Sequence, residues 1–104
     1  MEYVFKALAD QSRRRLLDSL RSEDGQTLND LCRHLDMSRQ AVSKHLNILI
    51  EANLIVPLKD GRFKKHYLNP VPIQEIADRW IDEFRQVEVN AIVNLKKSLE
   101  DSNE

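Results

Sequence analysis

A chain of 104 residues, 41% hydrophobic and 32% charged, is long enough for one compact domain and too short for two. Its formal net charge is -1, and its single cysteine excludes an intrachain disulfide. No apolar run approaches the roughly 20 residues needed to cross a bilayer, and Met1 to Lys6 shows no basic stretch leading into a long apolar one, so a reducing, cytoplasmic setting is expected, with no membrane partner.

With only two glycines the composition favours helices. Val4, Phe5 and Leu8 predict a short first helix ending near Ala9. Asp10 is placed to cap a second, whose apolar side is Leu16, Leu17 and Leu20. Residues 22 to 26 read as a polar loop. Thr27 then caps a third helix, with Asp30 three residues on as a weak capping box and Leu28, Leu31, Cys32 and Leu35 as an i, i+3, i+4, i+7 stripe. Asp36 and Met37 form a tight turn, for which Asp36 would adopt a left-handed conformation. Ser38 caps a fourth helix running to about Ala52, and Asn53 stops it. Strands from Leu54 to Lys59 and from Arg62 to Leu68, joined by Asp60 and Gly61, make a hairpin. Pro57 is tolerated there because a two-stranded ribbon has free edges. A long helix is predicted from about Ile73.

The third and fourth helices with their short turn describe a helix-turn-helix. Val42, Leu46 and Leu49 would face inward, leaving Arg39, Gln40, Ser43, Lys44 and Asn47 outward. These side-chain types can pair with base edges or phosphates, so Gln40, Ser43 and Lys44 are assigned to bases, and Ser38, Arg39 and Asn47 to positions nearer phosphate. The hairpin is the wing, with Arg62 and Lys64 beside its tip and Lys59 and Lys65 adding positive field. The charge distribution agrees. Up to Val71 there are twelve Lys/Arg against nine Asp/Glu, and from Pro72 four against eight. A solvated charged face is the alternative reading of charge alone. Duplex DNA is the expected partner.

Three stretches resemble the ArsR-type regulators: Phe5 to Arg13 (FKALADQSR), Leu31 to Leu46 (LCRHLDMSRQAVSKHL), and Glu51 to Ile55 followed by Asp60-Gly61-Arg62. The resemblance spans roughly residues 4 to 70 and is closest to the metal-independent branch. It implies a homodimer on a partly palindromic operator and, usually, repression. Many members sense metals through a Cys-x-Cys pair in the third helix, where this chain has Thr27 and Asn29. Others use histidines on the last helix, which here has none. His34, His45 and His66 sit on three different elements without ligand spacing. No metal, cofactor or small-molecule effector is indicated. Cys32 reads as a small buried hydrophobe, His45 as a helix-packing residue and His66 as structural. Arg13 is open to two readings, a solvated helix face or a phosphate contact.

Along the last helix, Ile73, Ala77, Trp80, Phe84, Val87, Ala91, Leu95 and Leu99 recur at steps of mostly four and three, an apolar stripe about 40 Å long. A stripe of that size calls for a partner, and Tyr3, Val4 and Phe5 of the first helix are expected to join Trp80, Phe84, Val87, Ala91 and Leu95 in a dimer interface. The predicted fold class is therefore mainly α with a small β-hairpin, a winged helix-turn-helix in helices-hairpin-helix order, dimeric through its terminal helices. Residues 1–72 form the DNA-binding region, and 73–104 the dimerisation helix and acidic tail. No nucleophile-base set, carboxylate pair or phosphate-binding glycine loop argues for an enzyme. The rival reading is a winged-helix protein-interaction module without DNA contact, which predicts neutral or acidic residues on the fourth helix's outer face.

Overall fold

Most helix starts in this chain are fixed by a polar side chain one position upstream. The computed structural model describes residues 1–102, the side chains of 83–87 and 101–102 excepted. The elements run α1 (Glu2–Leu8), α2 (Gln11–Ser22), α3 (Leu28–His34), α4 (Arg39–Glu51), β1 (Ile55–Asp60), β2 (Phe63–Leu68) and α5 (Val71–Ser102). The Asp10 carboxylate accepts from the Arg13 N–H at 3.1 Å to open α2. Ser38 Oγ accepts from the Ala41 N–H at 3.2 Å to open α4. Thr27 and Asp30 form a complete capping box, each side chain accepting from the other's backbone N–H. The box is stronger than the sequence promised, because the Asp30 carboxylate reaches back to 3.0 Å.

The end of α4 is equally defined. Asn53 has φ +61°, the Leu54 N–H donates to Leu49 O, and the Asn53 N–H donates to Ile50 O. This is a Schellman closure with asparagine in the left-handed position. The turn between α3 and α4 differs from expectation. Asp36 does not have a positive φ. Instead the Met37 N–H donates to Leu35 O at 2.9 Å, closing a three-residue turn that an ordinary backbone conformation can make.

The hairpin is shifted by one residue from its predicted register. β1 and β2 pair antiparallel with Asp60 opposite Phe63, so the two turn residues are Gly61 and Arg62. Gly61 has φ +61° while Arg62 does not, the sign pattern of a type II′ turn with glycine first. A turn centred on Asp60 and Gly61 would need a positive φ at Asp60 as well. Arg62 therefore stands at the tip itself. α5 also begins earlier than predicted, at Val71, because proline is tolerated in a first turn where its missing N–H has no helical partner anyway. Asn69 Oδ1 accepts from the Val71 N–H there.

The chain divides after Ile73 into two compact units. In the first, a core of Val4, Ala7, Leu16, Leu17, Leu20, Leu31, Val42, Leu46, Leu49, Leu54 and Ile55 is drawn from α1 through β1. Leu28, Cys32 and Leu35 are only half-buried, so the α3 stripe is narrower than its spacing suggested. Val4 belongs to this core at 8% exposure, which removes it from the outward apolar surface of α1; Tyr3 and Phe5 remain exposed. The second unit is the α5 helix from Gln74 onward, where Trp80, Ile81, Ile92 and Leu95 are exposed, Ala91 likewise. Phe84 and Val87 lie outside the residues whose side chains are described.

Candidate nucleic-acid interface

Gln26, assigned by sequence to a polar loop, holds the interface together. It is 2% exposed. Its Nε2 donates to Ser19 O at 3.0 Å and Glu23 O at 2.7 Å, satisfying carbonyls at the end of α2. Its Oε1 accepts from His34 Nδ1 at 3.0 Å, on α3. Its backbone O accepts from both the His66 N–H at 2.8 Å and His66 Nδ1 at 2.9 Å, on β2. One residue thus joins the second helix, the helix-turn-helix and the wing. The Gly25 N–H donates to His66 O, so Gln26 lies as a bridge alongside β2. A side chain on Gly25 would meet the Tyr67 ring at 3.1 Å, and its φ of +75° also favours glycine. Burial pushes the His66 imidazole below its ordinary value, keeping it neutral and its Nδ1–H available to Gln26.

The base of the wing is stitched in the same way. The Asn69 N–H donates to Leu54 O at 2.8 Å, its Nδ2 donates to Asn53 O at 2.7 Å, and the Leu68 N–H donates to Asp24 Oδ1 at 2.9 Å. The hairpin is therefore held at its root.

The outer face of α4 carries Gln40, Lys44 and Asn47 exposed and Ser43 half-exposed. Together with Arg39 and Leu28 they line one shallow concavity. Arg39 is tied to α3 by a hydrogen bond from its Nη1 to Asn29 Oδ1. That bond uses one of five guanidinium donors. Ser38, whose Oγ caps α4, has a structural duty as well, and it is exposed. A second cleft runs from α4 to the wing, lined by Asn29, Arg39, Ser43, Asn47, Arg62, Phe63 and Lys64. Among the described residues lining the two depressions there is no carboxylate. The local potential is positive although the chain as a whole is not.

The four wing cations are not equivalent. Lys59 stands directly opposite Lys64 across the ribbon, an arrangement of like charges that is unfavourable without an anion nearby. Lys65 donates to Asp60 at 2.9 Å, and that carboxylate raises its pKa. Its charge is thus largely offset within the wing. The structure brings Lys59, Arg62 and Lys64 to the tip and sets Lys65 apart.

Arg13 resolves differently from either sequence reading. Its side chain is 12% exposed, its Nε donates to Ala7 O at 2.8 Å, and its Nη2 donates to Lys6 O at 3.0 Å. Nη1 reaches His45 Nδ1 at 3.4 Å. Arg14 Nη1 donates to Leu8 O at 2.7 Å. Both arginines close the carbonyl end of α1, where positive charge also meets the helix dipole favourably. Arg13 is a structural tie between α1, α2 and α4. The partners lie six and seven residues away along the chain, at a helix end, which is the one local signal a sequence offers. Thr27 and Asn29, at the positions of the cysteine pair in many ArsR-type regulators, are committed to the capping box and to Arg39.

Comparison with known proteins gives a consistent picture. A family model described as a helix-turn-helix domain matches residues 8–57. The transcriptional repressor SdpR of Bacillus subtilis is 39% identical over 84 residues, covering 81% of this chain and 91% of that protein. The arsenical resistance operon repressor of Escherichia coli K12 is 38% identical over 94 residues, covering 86% of this chain and 79% of that protein. Among solved structures, an ArsR-like transcriptional regulator from Rhodococcus sp. RHA1 superposes with a TM-score of 0.76 at 29% identity, covering 95% of this chain and 89% of that one.

Proposed function

We propose that this chain, which belongs to the ArsR-type family of winged helix-turn-helix, DNA-binding transcriptional regulators, is a repressor that binds a partly palindromic operator as a homodimer. The observation that carries this reading is the pair of depressions on α4 and between α4 and the wing, lined by Arg39, Lys44, Arg62 and Lys64 and by no carboxylate among the described residues. There the exposed side chains of Gln40 and Lys44, with Ser43, enter the major groove and pair with base edges. Ser38, Arg39 and Asn47 contact the flanking phosphates, and Lys59, Arg62 and Lys64 follow the backbone beside the adjacent minor groove. Lys65 contributes least, because Asp60 holds it.

Residues 1–72 supply this DNA-binding region and 73–104 the dimerisation helix with its acidic tail. Tyr3 and Phe5 of α1, with Trp80, Phe84, Val87, Ala91 and Leu95 of α5, form the contact between copies. Dimerisation sets two recognition helices about 34 Å apart, one turn of the duplex. The relatives named as repressors support the direction of control, and a regulator of this kind works in the cytoplasm, where its operator is. With Thr27 and Asn29 in structural roles, repression does not depend on a metal held at α3. The test is operator selection from random DNA followed by quantitative binding. Gln40→Ala and Lys44→Ala are expected to cost about 1–3 kcal/mol of discrimination between operator and random duplex. An unchanged ratio in both variants sinks the base-contact assignment.

A further inference from the structure

We propose that Phe63 is a specificity-determining residue of the wing: an apolar wedge that enters the minor groove of the bound duplex and favours a deformable base step beneath it. This rests on the DNA-binding reading and extends it to a residue to which no base or phosphate contact has been assigned.

Phe63 is 59% exposed although it is one of three phenylalanines in the chain. It forms the last pair before the turn, opposite Asp60, so its ring stands beside Arg62 at the tip. Lys59, Arg62 and Lys64 surround it, and among the described residues none of the three donates a side-chain hydrogen bond or ion pair within the chain. The one nearby carboxylate, Asp60, is taken by Lys65. The ring borders the cleft that also holds Ser43, Asn47 and Lys64, which places it on the recognition-helix side of the wing. Three unpaired cations around an exposed ring fit a polyanion with an apolar interior. The cations meet phosphates, and the ring, which can neither donate nor accept a hydrogen bond, meets sugar and base faces. Apolar side chains in minor grooves act by prising base steps apart. Pyrimidine-purine steps yield most easily, so such a contact reads sequence without touching a base edge.

The test uses the full chain and an operator selected with it. Duplexes are compared that share the half-site and carry either a TA or a GG step under the wing, with 2-aminopurine as a reporter of unstacking. Phe63→Ala is expected to lose about tenfold in affinity on the TA duplex, the size of one lost base-aromatic contact, and at most about twofold on the GG duplex. Its salt dependence should stay that of the wild type, its thermal unfolding unchanged, and the 2-aminopurine signal should fall to that of free DNA. Phe63→Trp should keep both affinity and signal. Equal affinity of Phe63→Ala and wild type, or an equal loss on both duplexes, overturns the wedge while leaving the regulator reading standing. Absence of salt-sensitive binding by the wild type overturns both.

Discussion

His66, Gln26 and Arg13 each do work that depends on partners far along the chain. The pH dependence of stability follows from the first of them. The folded His66 imidazole is held below its ordinary value of 6.5 by burial. Between the ordinary and the lowered value the unfolded chain binds a proton that the folded chain does not. The His66 contribution is thus complete above 6.5 and declines as the pH falls through the folded value. Asp10 and Asp30, both held below the ordinary 3.8 first by backbone N–H donors, continue the same sign in more acidic solution. Lys65, raised above 10.5 by Asp60, acts oppositely and loses its contribution as the pH rises beyond that value. Urea unfolding of His66→Gln is expected to show a shallower loss of stability from about pH 7 to about pH 5 than the wild type; identical slopes would remove His66 from the account. Arg13→Ala, which strips two carbonyls at the end of α1 of a charged donor, should cost about 1–3 kcal/mol in the same assay while leaving the salt dependence of DNA binding unaltered. At this scale the caps Asp10, Thr27 and Ser38 were legible, because a cap and the backbone N–H that donates to it lie three residues apart. Gln26 and Arg13 were not, since the contacts that define Gln26 run from three to forty residues away and those of Arg13 end on carbonyls and on His45.

Helices were read more accurately than the segments joining them. Apolar spacing located α2, α3 and α4 because burying one stripe of a helix leaves little freedom in its register. The hairpin slipped by one residue for a local reason: Asp60-Gly61 and Gly61-Arg62 are both acceptable two-residue turns, and pairing of Ile55 with Leu68 at the root decides between them. The slip matters for function, since it moves Arg62 from beside the tip onto it. Arg62→Ala should therefore weaken binding to all duplexes alike and flatten the salt dependence by about one unit of slope, read by titration at several salt concentrations. A changed sequence preference would instead make Arg62 a reader of bases. The start of α5 at Val71 was hidden by Pro70 and Pro72, which read as a break although the second fits a first helical turn. Thr27→Ala tests the capping box that anchors the helix-turn-helix. It should lower unfolding stability by about 1 kcal/mol, and a neutral result would mean that Asp30 alone suffices to start α3.

At the scale of the molecule, a small core serves the first unit, and exposed apolar side chains remain on α1 and α5. Tyr3 is 69% exposed, Trp80 53% and Leu95 62%. The proposed dimer would cover this surface, and on that proposal Trp80→Ala should shift sedimentation toward monomer and weaken operator binding in step. A persistent dimer would move the interface to another face. Fold class was legible from the order of elements, and the basic surface from charge counted locally, since a net charge near zero conceals a carboxylate-free patch. Which cations share that patch was not legible: the pairing of Lys65 with Asp60 and the opposition of Lys59 and Lys64 depend on the register of two strands.

The most direct test of the central claim is fluorescence anisotropy of the full chain with DNA from upstream of its own gene, against scrambled DNA, at two salt concentrations. Tight binding that prefers one sequence and weakens steeply with salt is the predicted result. An intact dimer that binds neither DNA at either salt concentration would contradict it.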